Sequence, residues 1–251
     1  MTTSLRLGLL VLLCVGVQKP IPSDRRTTEV QVSDLSVGSS LKAEGSATFY
    51  EEVFSDRITS RYRLDVKLTN VSSKPILAFE ATVDLLPDLG GGDHVDYRRD
   101  FFFESPVLSP GGHDDLLHEP SNDSSTIESS GPLTPRKAQA DVRILFVEFA
   151  DGSVFGGGGW ADELSTNRTR TVDQLQALLA SYNTGDSAAF RLTLTKALTD
   201  SKSVDYTATK LNEIRDSMAR HGLEATIEEI RTQIANADGN KRRASAFSAM
   251  H

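Results

Sequence analysis

The chain has a single cysteine, Cys14, and it lies inside the longest apolar run. Without a second thiol there is no intrachain disulfide, no Cys-x-x-Cys redox pair and no thiolate zinc site. Tryptophan is as scarce, with Trp160 the sole example. The apolar run Leu7–Val17 (LGLLVLLCVGV) falls short of the roughly 20 residues a membrane-spanning helix needs. Basic side chains are outnumbered, 27 against 35 acidic, for a net charge of -8. That balance argues against nucleic-acid backbone and anionic membrane as partners. No Gly-x-Ser-x-Gly elbow appears, and the five histidines have no evident orienting partner.

What is present begins at the N-terminus. Arg6 followed by Leu7–Val17 fits the core of a secretory signal, giving 1–17 as a signal peptide and a secreted or periplasmic location. Cys14, within that run, also admits a lipid anchor, although Leu13 stands where a lipoprotein box wants a small residue. Residues 18–27, polar and with two prolines, read as a flexible tether.

Period-two patterning follows. Val30 and Val32 alternate with polar neighbours, and Tyr62, Leu64, Val66 and Leu68 share one face of a strand whose other face is Arg61, Arg63, Asp65, Lys67 and Thr69. Asn70–Pro75 supplies turn chemistry, after which Leu77, Phe79, Ala81, Val83 and Leu85 form a second inner face. Phe101, Phe102 and Phe103 extend a further strand, and one of them needs a covering layer, for which the C-terminal helices are the candidate. Ile144–Val147 is apolar on both faces, which places that strand centrally or under another element. Asp151-Gly152 signals a two-residue hairpin. Strand centres at Val30, Phe49, Tyr62, Phe79, Phe102, Phe146 and after Gly152 give about seven strands, as in an immunoglobulin-like sandwich.

Beyond Trp160 the period becomes helical. Val172, Leu175, Leu178 and Tyr182 open the series, with Thr171 and Gln174 as a capping box. Phe190, Leu194 and Leu198 mark a second helix. A third carries Val204, Leu211, Ile214 and Met218 and closes at Gly222; a fourth carries Leu223, Ile227, Ile230 and Ile234, the two making an antiparallel hairpin. The expected architecture is therefore α+β: a sandwich over 28–160 with a mobile loop at 118–135, about four helices over 161–237, and a disordered tail at 238–251.

Leu68–Ile76, with its strand, Asn-x-Ser and Lys-Pro-Ile, and the Leu108–Gly111 turn together resemble bacterial extracytoplasmic immunoglobulin-like modules of the FxLYD type, which are similar to late-embryogenesis-abundant type-2 sandwiches. The resemblance spans roughly Val30–Gly156; the Phe-x-Leu-Tyr-Asp phrase itself is replaced by FEATVDL at Phe79–Leu85. It implies no catalytic residues; no cofactor is expected from the sequence.

Chemistry-bearing candidates are few. His113 and His118, with His94 and Asp93, could hold a metal only if they converge, and five-residue spacing sends the first two to opposite faces of a strand. Gly156–Trp160 lacks the Lys and following helix of a phosphate loop and reads as a flexible strand exit; Trp160 reads as a lid on the core more than a sugar platform. Asn70, Asn122 and Asn167 head glycosylation sequons. The expectation is an exported, non-enzymatic interaction module of the envelope or extracellular space, with no catalytic, cofactor or metal residue assigned and another envelope or extracellular protein as partner. The alternatives are a hydrolase or carbohydrate-binding protein using residues 113–135, and a periplasmic metal-binding protein using His94, His113 and His118.

Overall fold

A computed structural model describes residues 21–36, 38–105, 107–119, 125–128, 135–200 and 206–248. The signal peptide with Cys14, residues 18–20 of the tether, Val204 and Asn122 lie outside them. Strands come first: β1 (Asp24–Gln31), β2 (Ser33–Asp34), β3 (Leu41–Val53), β4 (Arg57–Asn70), β5 (Ile76–Leu86), β6 (Asp93–Asp100), β7 (His113–His118), β8 (Ser125–Glu128), β9 (Gln139–Phe149) and β10 (Val154–Gly156). Four helices follow: α1 (Gly159–Thr184), α2 (Ser187–Asp200), α3 (Tyr206–His221) and α4 (Leu223–Ser248). One sheet runs β1-β3-β4-β7, with β8 also on β4; the other runs β10-β9-β5-β6, with β2 parallel to β9. The result is a mixed α+β fold, a β-sandwich followed by helices.

The alternation in Arg61–Thr69 has its expected result. Leu64, Val66 and Leu68 are buried against Phe79, Ala81, Val83 and Leu85 from the facing sheet. Strand β9 lies between β10 and β5, so its doubly apolar sequence is explained by a central position. Two β-bulges complicate the pleat. The register skips Leu77 on β5 and Leu145 on β9. A bulge puts successive side chains out of alternation. Ile76 and Phe79 therefore enter the sandwich core while Leu77 turns to the helices, departing from the single inner face expected of β5.

The two turn phrases are neighbours in space. Asn70 accepts from the Ser72 amide (3.0 Å) and hydroxyl (2.7 Å) and donates to the carbonyls of Lys74 (2.9 Å) and Leu108 (3.1 Å). Asp151 accepts from the Ser153 amide at 2.9 Å and pairs with Lys74 at 2.7 Å. One turn thus ties the other. The β9–β10 loop closes through a bond from Phe149 N to Ser153 O, longer than the expected two residues, with Gly152 at φ 86°.

Four expectations need correction. Asp24–Thr27, assigned to the tether, already belongs to β1, paired with Tyr50–Val53. The loop 118–135 is partly strand, since β8 pairs with β4 as β7 does. Phe101–Phe103 forms a turn, not a strand, with the amide of Phe102 bonded to Asp100. Asp238–Ser248, expected to fray, continues α4.

The helices cover the outer face of the second sheet. Leu77, Phe102 and Phe103 share a core with Leu175, Leu178, Phe190, Leu211, Ile214, Ile227 and Ile230. A second contact joins Ala78 and Phe146 to Leu164 and Trp160. The covering layer expected from the helices is found over Phe102 and Phe103, whereas Phe101 joins the sandwich core. Gly222, at φ 84°, is the only residue between α3 and α4, a left-handed conformation that glycine adopts without strain.

Candidate functional site

The histidines do not converge. His94 is on β6, in one sheet, whereas His113 and His118 are on β7, in the other. The His94 ring bridges two carboxylates, Nδ1 to Asp84 and Nε2 to Asp96, each at 2.8 Å, and the hydrogen bond to Asp84 leads in raising its pKa. His118 stacks on Tyr62 at 4.8 Å between ring centroids, and His113 is 4.0 Å from Asp115. Among the described residues no group of three His, Cys, Asp or Glu side chains is placed to hold a metal ion.

The densest chemistry sits where the helices meet the sheet. Arg168, on α1, makes a two-pronged pair with Asp100 at the end of β6: Nε donates to Oδ2 at 2.9 Å and Nη2 to Oδ1 at 2.8 Å. Its Nη1 is 2.7 Å from Glu148 on β9, and the guanidinium lies 4.6 Å over the Phe102 ring. Tyr206, opening α3, donates to Asp100 at 2.6 Å. Side-chain exposure is 8% for Arg168, 3% for Asp100 and 16% for Glu148, so these are desolvated charges. Burial lowers the Arg168 pKa, but the paired carboxylates outweigh it and keep the guanidinium charged. Burial raises Glu148 above its ordinary range despite Arg168, and burial together with Asp100 pushes the Tyr206 phenol well up. Both carboxylate oxygens of Asp100 are engaged, by Arg168, Tyr206 and the Phe102 amide, so the cluster clamps the helices to the sheet. Further clamps follow along α4, where Asn236 and Asn240 donate to the carbonyls of Phe103 (3.2 Å) and Phe102 (2.9 Å).

Above the clamp opens a cleft of about 850 Å³. Basic Arg98, Arg99, Arg170 and Lys210 and acidic Asp100, Asp162, Glu163 and Glu213 line it in equal number, with Trp160, Tyr206 and Asn167 between them. Arg98 pairs with buried Glu80 at 2.7 Å, Arg99 with Asp114 at 3.3 Å, and Lys210 with Glu213 at 2.9 Å. A second cleft of about 580 Å³ lies against the same tryptophan and shares Arg98 and Glu163 with the first. Trp160 is half-buried, its ring edge-to-face with Phe146 at 5.9 Å and 83°. It is a lid on the core, as expected, and also the ridge between two clefts.

The glycine run before Trp160 does lead into a helix, contrary to expectation, because α1 starts at Gly159. The Thr171–Gln174 capping box is accordingly not a helix start; Thr171 is buried mid-helix and bonds back to the Asn167 carbonyl at 2.9 Å. Gly156, at φ 74°, has space for no side chain, since a Cβ there would fall 2.0 Å from the Leu145 carbonyl oxygen. Beside the following turn, a Cβ on Gly158 would lie 3.6 Å from the Oε2 atom of Glu80, a buried carboxylate paired with Arg98 at 2.7 Å.

Of the sequons, Asn70 is fully buried with its amide nitrogen bonded twice, so a glycan cannot attach there in the folded state. Asn167 lines the larger cleft. Arg168 escaped notice in the sequence because its partners are 68 and 20 positions away, beyond any local pattern. No helix among the described residues is long and apolar enough to cross a membrane. No family model, curated protein or solved structure matches the chain.

Proposed function

We propose that the protein is an exported, non-enzymatic interaction module of the envelope or extracellular space. The observation that carries the reading is the division of labour at the sheet–helix seam. Its buried charges are spent on joining α1 and α3 to β6 and β9, while an open cleft framed by rigid elements remains above them. Arg6 with the apolar run Leu7–Val17 supports export.

The sandwich is of immunoglobulin-like type in this reading. The order β10-β9-β5-β6 corresponds to strands G-F-C-C′, and β4 beside β7 corresponds to B beside E. The chain crosses between sheets from β4 to β5, from β6 to β7 and from β8 to β9, in keeping with that topology. The likeness of Val30–Gly156 to FxLYD-type modules belongs to the same proposal. N-terminal sequencing of the product from expressing bacteria tests export. Loss of Met1 to at least Leu13 in the exported material is the expected result, and an intact Met1 on a cytoplasmic product refutes it.

A further inference from the structure

Resting on that reading, we infer that the paired clefts across Trp160 form a binding site for a neutral oligosaccharide. The argument starts from charge. Basic and acidic side chains line the larger cleft in equal number; Lys210 pairs with Glu213 inside it, and Arg98 and Arg99 pair with Glu80 and Asp114 at its edge. A cleft with no net charge gives no electrostatic preference to a phosphate, a nucleic acid or an acidic glycan. Its lining mixes apolar area, from Trp160, Tyr206 and side-chain stems, with charged groups and hydroxyls, which suits an amphipathic ligand better than a lipid tail. What it offers is a set of planar side chains with many donors and acceptors, which matches a ligand made of hydroxyl groups.

Trp160 supplies the other half of sugar chemistry. A pyranose has an apolar face of C–H groups, and an indole is a large rigid apolar surface to set it on. The ring is held by its edge-to-face contact with Phe146, so stacking a sugar costs little ordering entropy. Because Trp160 lines both clefts, a chain crossing it would place residues on either side, beside Arg98 and Glu163, which both clefts share. Volumes of about 850 and 580 Å³, both open to solvent, accommodate several sugar units and let a polymer enter and leave. The site differs in place from residues 113–135, where the sequence suggested a carbohydrate-binding loop.

Trp160 is the only tryptophan of the chain, so its fluorescence reports this site alone. The full-length exported protein is titrated with neutral linear hexasaccharides built on glucose, mannose or N-acetylglucosamine, followed by tryptophan emission and by calorimetry. At least one is expected to shift the emission saturably, with an affinity little changed between about 50 and 300 mM salt. Trp160→Ala, read by calorimetry, should weaken binding about tenfold or more. Should that variant unfold, Glu163→Gln at the exposed rim keeps the fluorophore and should weaken binding severalfold. No saturable response from any hexasaccharide overturns the assignment. A response only to heparin that vanishes with salt, or only to an unglycosylated peptide, overturns it too, while leaving an interaction module in place. Failure of export, seen as retained Met1, strikes the parent reading separately.

Discussion

Replacing Arg168 with methionine is the sharpest test of the clamp. The substitution keeps a long flexible side chain on α1 and removes three charge-assisted bonds of 2.7–2.9 Å. Asp100 and Glu148 then remain in the seam with 3% and 16% of their side chains exposed and no cation facing them. Removing one partner of a buried ion pair costs about 3–5 kcal/mol, most of it the penalty of the charge left behind. A largely exposed comparison is Arg25, 72% exposed and 3.2 Å from Glu52, whose truncation should cost at most about 1 kcal/mol. Urea unfolding at pH 7 and pH 5 measures both. Glu148 already titrates above its ordinary range because burial disfavours its charge. A carboxyl raised in the folded state contributes stability below its unfolded pKa and loses it as pH rises through the folded value. Arg168→Met drives that value further up, so the variant should lose less stability at pH 5 than at pH 7. The triple change Arg168→Met, Asp100→Asn and Glu148→Gln should recover much of the loss. A cost below about 1 kcal/mol for Arg168→Met, or a triple variant no better than the single, refutes the clamp.

Other consequences can be checked in the same way. Phe79→Ala, which opens a cavity between the sheets at a fully buried site, should cost about 3–5 kcal/mol, whereas Lys67→Ala on the wet face of β4 should cost less than about 0.5 kcal/mol; equal losses in denaturant titration would contradict the strand register. Deleting 204–251 removes α3 and α4 and uncovers Phe102 and Phe103, so the remainder should lose cooperative unfolding and bind a hydrophobic dye, and an unchanged sandwich would mean the helices are dispensable to it. His94, held between Asp84 and Asp96, should titrate above about 6.5; its stabilisation is full below that pH, fades as pH rises through the folded pKa, and stays under about 1 kcal/mol because the ring is half-exposed. Imidazole shifts in NMR and the pH dependence of His94→Gln report it.

Strands with one wet face were legible because alternation records a single environment per side chain, as in Tyr62–Leu68. Helices with apolar stripes, such as Leu223–Ile234, were legible for the same reason. What failed was segments whose packing uses polar atoms. The first three turns of α1 (WADELSTNRTR) bury little beyond Leu164 and Arg168, so no stripe announces them. The last turns of α4 follow Ile230 and Ile234 with Ala237 and Asn240, which pack closely through small size and amide bonds. The bulge at Leu145 breaks period two with no glycine or proline near it, and the one at Leu77 follows Pro75, which reads as part of the turn. The candidate site fared worst. Trp160 was visible as a lone aromatic, but Arg98, Asn167 and Lys210 come together only through the docking of α1 and α3 on the sheet.

Because the outer face of β5 and β9 is covered by elements encoded after both sheets, synthesis leaves it bare for a time. Leu77, Ala78 and Phe146 wait for α1, and the Phe102–Phe103 turn waits for Asn236 and Asn240, near the end of α4. An apolar, hydrogen-bonding surface in that interval is an aggregation hazard for a nascent chain. A holding chaperone on the nascent sandwich would shelter that surface until the final helix arrives.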